Sequence, residues 1–423
     1  MRSIFDTVAW LILVVSISAG SAAQTQVPTL NDLWQVSISD DKAVAAFIEK
    51  HSGQPLVEAV PGRPHERRVT FYVLADKDTD YVMYSGGPDF GGLVMQPLAA
   101  TQLWFVTIGI ADDARYRYNF SHYKRLKVAT DNSVKPRDVV RTDDIVLEMP
   151  NAPRSPYIAA HADVAKGSLK KYALASKYMA QDRDISVYTP AAYTGEVAHK
   201  LVIFFDGGSY SAPANAGKPS QGWVPTPTIL DNLIAKGKIA PTIAIFVANM
   251  GTRNRDLPTD AFGDFIADEL VSWARGNFAI LPSAEDVILA GSSRGGYAAA
   301  LIAFRHSGTI GNVLSLSGSY WINDKTVKAE ADKTPFQFHR LRYPRTDGKM
   351  IKLYKASPQL PVRFYMTVGM YDLSVAMVGS NRQLRDILET KGYDVAYSEF
   401  SGGHDYLSWR GLLADGLLVL VGR

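Results

Sequence analysis

The amino-acid sequence predicts a chain in two folded parts: an all-β domain of immunoglobulin-like sandwich shape, then an α/β domain on a mostly parallel sheet. Three observations lead there. Between residues 67 and 120, short β-rich segments recur with turn residues between them, the spacing of a sandwich. From residue 185 onward, apolar strand-like runs alternate with segments of helical periodicity, and that alternation builds parallel sheets covered on both faces. Residues 149–156 separate the two patterns and carry Pro150, Pro153 and Pro156, which makes a stiff connection.

Taken in order, residues 1–23 read as an export signal. Arg2 supplies a positive charge, residues 8–15 form an apolar run, and Ser21-Ala22-Ala23 fits a small-residue cleavage site with a mature start at Gln24. The apolar run is too short to cross a bilayer comfortably. No membrane span is therefore expected after cleavage, and the expected location is periplasmic or secreted. Residues 24–149 make the predicted first domain. Ser39 can cap a helix in which Val44, Phe47 and Ile48 share a face through Lys50. Strands follow at 69–74, 81–84, 102–108 and 116–120. Residues 150–157 are the linker, and residues 158–423 the second domain. Its predicted strands are 185–188, 201–205, 242–247, 286–290, 313–317, 362–368 and 395–400. Helical patterns cover 229–235, 262–273, 297–304, 381–391 and 412–421.

Composition narrows the function classes. The 423 residues are 47% hydrophobic and 21% charged, as in a well-cored globular protein. Formal net charge is only +3. The short basic cluster Lys124, Arg125 and Lys127 reads as a solvated loop, so no nucleic-acid partner is expected. The sequence contains no cysteine, which excludes disulfides, thiolate metal sites and cysteine nucleophiles. It also lacks H-E-x-x-H, P-loop and dinucleotide fingerprints, so neither metal nor cofactor is expected.

The chemistry concentrates in Gly291-Ser292-Ser293-Arg294-Gly295, a G-x-S-x-G motif between a predicted strand and a predicted helix. That context is what a nucleophilic serine needs. A sharp strand-to-helix turn exposes the hydroxyl, glycines give clearance, and the helix N-terminus favours negative charge. A serine hydroxyl also needs a base. His404 follows the last predicted strand in the glycine-rich Ser401-Gly402-Gly403-His404-Asp405, where an α/β-hydrolase carries its histidine. The other histidines precede the nucleophile, end its helix (His306) or fall in an insertion (His339). Asp372, just beyond the predicted strand 362–368, is the favoured acid, with Glu399 and Asp405 nearer to His404 in sequence. The amide of Arg294 and one from Gly207, Gly208 or Ser209, with Gly208 preferred, would face an oxyanion.

Several stretches resemble the enterochelin (enterobactin) esterases of the esterase-D-like α/β-hydrolases. The most specific is 402–411, Gly-Gly-His-Asp-Tyr-Leu-Ser-Trp-Arg-Gly. Residues 314–321 and Phe205-Asp206-Gly207-Gly208 also fit, as do residues 69–71 and the segments around Trp104 and Tyr118 in the first domain. The resemblance implies Ser293 and His404 as catalytic residues and a small-molecule ester as partner, typically a ferric catecholate siderophore. Such a ligand is anionic and aromatic and calls for arginines and ring faces. Arg253, Arg255, Arg294, Trp321 and Arg410 are candidates. Feruloyl or acetyl esterase action on polysaccharide, or acyl transfer, is the competing expectation. Departures from the pattern are Arg294 after the nucleophile, Gly208 after Asp206-Gly207, and the Lys/Arg-rich insert 320–360.

Overall fold

A computed structural model describes residues 28–37, 41–98, 101–125, 138–213, 223–326 and 348–422. The predicted signal, Ser39, Lys127 and His339 lie outside these residues.

The first part is built by strand alternation. Strand Arg63–Leu74 pairs with Leu56–Val60 on one side and Leu103–Ala111 on the other, all antiparallel. Because successive side chains face opposite ways, Val69 and Phe71 enter one core while Tyr72 enters another. Tyr72 is covered by helices Leu30–Ser37 and Asp41–Lys50 through Leu33, Val44 and Phe47. Val69 and Phe71 meet a second sheet, in which Thr79–Gly86 pairs with Arg115–Lys124, through Tyr84, Tyr116 and Tyr118. Two short strands that periodicity does not reveal, Val139–Arg141 and Ile145–Glu148, both pair with Arg115–Lys124.

In the second part, eight strands run in the order Ser168–Leu174, Arg183–Thr189, Thr242–Val247, Lys200–Phe204, Val287–Ser292, Asn312–Leu316, Arg363–Tyr371 and Val395–Gly403. Arg183–Thr189 is antiparallel to both neighbours, and every other pairing is parallel. The central strands are buried along their whole length, the mark of a sheet covered on both faces. Helices Arg294–Arg305, Lys349–Ala356 and Val375–Thr390 cover one face, and Thr226–Ala235 and Tyr406–Val421 the other. The predicted helix 262–273 is longer and contains a π-helical stretch, Phe265–Leu270. Among the described residues, no helix is long and apolar enough to cross a membrane.

The sandwich joins the edge of this sheet. Gly402 pairs with Arg115, so the ladder of the second part continues into the first.

Candidate active site

Strand Val287–Ser292 stands near the middle of the parallel sheet and hands the chain directly to helix Arg294–Arg305. Ser293 is the turn, at φ 57° and ψ −118°. A non-glycine residue accepts that region only when its surroundings hold it there. Its amide donates to the Leu316 carbonyl (2.9 Å), and its carbonyl accepts from Tyr297 (3.1 Å) and Ser319 (3.0 Å). Clearance is minimal: a Cβ at Gly291 would stand 2.6 Å from the backbone of Gly295. Ser293 Oγ lies 3.2 Å from Ser319 Oγ. Ser319 falls in the family-like stretch 314–321 but is not among the candidate site residues of the sequence. Its signal in the sequence is its place in the turn just after Asn312–Leu316, the strand beside the nucleophile strand.

Asp372 and His404 follow the next two strands of the sheet, Arg363–Tyr371 and Val395–Gly403. Their pairing shifts register between Gly369 and Tyr371, so that Tyr371 stands opposite Gly403. Irregularities of this kind re-aim side chains at the ends of strands. His404 Nδ1 comes within 2.7 Å of Asp372 Oδ1, and that oxygen also accepts the Leu373 amide (2.7 Å). Asp372 is buried. The Trp409 ring stands edge-on to the imidazole at 4.9 Å, and its indole N–H donates to Ser317 Oγ (3.2 Å).

The other acids are committed elsewhere. Glu399 takes a bidentate ion pair from Arg382 (2.6 and 2.7 Å) and the Tyr397 hydroxyl (2.8 Å), and the guanidinium holds its carboxyl below the usual range. Asp405 caps helix Tyr406–Val421 by accepting the Ser408 amide (2.9 Å). His306 contacts Asp264 (3.0 Å).

The turn after Lys200–Phe204 begins at Asp206, also left-handed at φ 56°. The amides of Ser209 and Tyr210 donate to the Asp206 carbonyl (2.8 and 3.2 Å). Gly208 is exposed, with nothing within 4 Å of where a Cβ would stand. Arg253, expected at a ligand, instead clamps this turn. Its Nε and Nη2 donate to the two oxygens of buried Asp206 (2.5 and 2.7 Å), and it reaches the Ser292 carbonyl at 3.4 Å. Arg255 is exposed beside Asp256 (3.3 Å). Arg294 is buried. Trp321 is 3% exposed in the core, donating to Met377 Sδ (2.8 Å). Arg410 lies over the Trp223 ring at 4.9 Å. Sequence reasoning does not single out Trp223. It is the neighbour of Val224, whose amide donates to the Ser209 carbonyl (2.8 Å), so the pair borders the Gly208 turn. Among the described residues no group of three His, Asp or Glu side chains is arranged to hold a metal.

The Esterase family model matches residues 176–420, more than half of the 423. The chain belongs to the Esterase family. Among relatives of this Esterase-family chain, an iron(III) enterobactin esterase from Dickeya dadantii is 26% identical over 251 residues, 58% of this chain and 53% of the relative. An acetyl esterase from Caldicellulosiruptor saccharolyticus is 26% identical over 168 residues, 36% of this chain and 61% of the relative. The chain thus spans between about half and three fifths of the length of these curated relatives. In three dimensions it is similar to a ferric enterobactin esterase from Salmonella typhimurium, with a TM-score of 0.65 at 20% identity, covering 89% of this chain and 98% of the other. An enterobactin esterase from Shigella flexneri gives 0.63 at 20% identity, over 88% and 97%. At such identities the likeness speaks for fold, and the fold is that of an α/β-hydrolase preceded by a β domain.

Proposed function

We propose that this Esterase-family chain is a serine carboxylic ester hydrolase that works through an acyl-enzyme, with a catecholate siderophore of the enterobactin type as substrate. One observation carries the reaction class: Ser293 is held at positive φ on the strand-to-helix turn, on the same end of the sheet as an imidazole in contact with a buried carboxylate. Ser293 Oγ attacks the ester carbonyl while His404 takes its proton. Asp372 holds the imidazole and offsets the imidazolium charge. The oxyanion faces the amides of Arg294 and Gly208, where fixed dipoles stabilise charge without reorganising. His404 then returns the proton to the leaving alkoxide, and water completes hydrolysis by the same route. Ser319 holds the resting hydroxyl of Ser293 until His404 engages it.

The substrate class draws on the enterobactin esterases among the relatives and on Arg410 over Trp223, a cationic and aromatic surface beside the proposed oxyanion turn. Iron would arrive with the substrate. With residues 1–23 as a cleaved signal, the reaction would occur in the periplasm or outside the cell. The acetyl esterase relative supports a second reading, deacetylation of polysaccharide. A hydrolysis panel separates the two: enterobactin with and without iron, p-nitrophenyl acetate and acetylated xylan, each with wild type and Ser293→Ala. Cleavage of enterobactin, lost in Ser293→Ala, is the expected result. Activity on acetylated xylan with none on enterobactin moves the substrate to the second reading, and a fully active Ser293→Ala overturns the serine mechanism.

A further inference from the structure

The side chain preceding Asp372 belongs to the other domain. Tyr371 ends strand Arg363–Tyr371, yet its half-buried side chain packs against the core of the sandwich. The Ala111 amide donates to its hydroxyl (2.9 Å). The Tyr116 ring stands edge-on to it at 5.5 Å and 80°. The backbone of Gly87 lies against the base of this side chain, so close that a Cβ there would stand 2.6 Å from Tyr371 Cβ and 2.8 Å from its Cγ. These contacts close on one another, because Tyr84 donates to the Gly87 carbonyl (2.7 Å) and its hydroxyl is 3.0 Å from that of Tyr116. One aromatic side chain of the hydrolase sheet is therefore held from several sides by the sandwich, and the next residue is in contact with His404.

We infer that Tyr371 is a positioning residue, the latch through which the sandwich sets Asp372 against His404. The inference rests on the triad reading above. Register supports the transmission. Tyr371 pairs with Gly403, the residue before His404, and Gly402 pairs with Arg115 of the sandwich. A shift of the Tyr371 backbone moves the acid directly and the base through its strand. A contact of 2.7 Å tolerates little such movement, since catalytic geometry must hold to within about 0.5 Å.

The test uses the full chain with p-nitrophenyl acetate, a small ester that makes no demand on substrate recognition. Tyr371→Phe removes the acceptor for Ala111, and Gly87→Ala pushes the ring from the sandwich side. Each should lower kcat about tenfold, as expected of small misplacements made away from the reacting atoms, with KM unchanged and a folded circular dichroism spectrum. The decisive measurement is a double-mutant cycle with Asp372→Asn. If Tyr371 acts through Asp372, Tyr371→Phe should change kcat less than about twofold once Asp372→Asn is present. An equal loss in both backgrounds, or wild-type kcat in both folded single variants, overturns the latch and leaves the triad standing. Wild-type kcat in Asp372→Asn overturns the triad reading itself. Should Tyr371→Phe not fold, the same cycle run with Gly87→Ala decides between these outcomes.

Discussion

Replacing Arg253 by leucine would strand the carboxylate that it neutralises. Asp206 is 1% exposed, takes both Nε and Nη2 of Arg253, and occupies a left-handed backbone conformation. Removing one partner of a buried ion pair costs about 3–5 kcal/mol, because the remaining charge loses its counter-ion without regaining water. At about 2–4 °C per kcal/mol for a domain of this size, the melting temperature should fall by about 10 °C. Function should suffer separately. The Asp206 carbonyl organises the turn that carries Gly208, the proposed oxyanion donor, and losing such a donor costs about 100-fold or more in kcat. Adding Asp206→Asn to Arg253→Leu removes the stranded charge and should recover much of the melting temperature but little of the kcat. Circular dichroism melts beside p-nitrophenyl acetate kinetics read both quantities. An unchanged melting temperature, with a rise in KM confined to anionic substrates, would refute the clamp and restore Arg253 as a ligand-facing charge.

The remaining expectations concern the proposed triad and its strain. His404→Ala should lose nearly as much kcat as Ser293→Ala, since the two act as a unit, whereas Asp372→Asn should be milder because the acid orients and does not react; steady-state rates on p-nitrophenyl acetate rank the three. Ser293→Gly should be inactive yet melt higher than Ser293→Ala, because glycine accepts positive φ at no steric cost and relieves strain of about 1–3 kcal/mol. Glu399→Gln should leave kcat unchanged. Its ion pair with Arg382 is partly exposed, so the stability loss at pH 7 should stay under about 1 kcal/mol. Since that pair depresses the Glu399 carboxyl, its contribution is present above the ordinary glutamate range and is lost as pH falls through the depressed value; denaturant unfolding at pH 7 and pH 3 checks this.

What the sequence discloses about the site is what its local pattern determines. A G-x-S-x-G between an apolar run and an alanine-rich helix marks its own turn, although the positive φ of Ser293 is also held by the distant Leu316 and Ser319 backbone. Asp372 and His404 are approachable from sequence because parallel strands deliver their carboxyl ends to one side of a sheet. Partnerships across the chain are not legible. Arg253 and Asp206 are 47 residues apart, and nothing local tells a clamped guanidinium from a ligand-facing one. Trp321 has the composition of a ring platform, but its burial depends on Met377, 56 residues away. Ser319 and Tyr371 gain their places from strand order, and Trp223 from the bond of its neighbour Val224 to Ser209. In the fold, Ser168–Leu174 escapes the pattern because Lys170 and Lys171 disguise an exposed edge strand. The last helix begins at Tyr406 and not at 412, since its first turn also reads as a continuation of the glycine-rich histidine loop.

The pairing of Gly402 with Arg115 bears on how substrate arrives. Where two domains meet across a wet cleft, one can rotate as a rigid body to admit a bulky molecule. Here rotation would break the Gly402–Arg115 strand pairing and pull the half-buried Tyr371 side chain off the apolar core it packs against, a penalty renewed at every turnover. If those contacts hold through turnover, the sandwich is a fixed wall, and traffic into and out of the proposed site falls to the loops at the carboxyl ends of the strands. Rates of product release should therefore respond to changes in those loops and stay insensitive to the length or stiffness of the proline-rich segment 149–156.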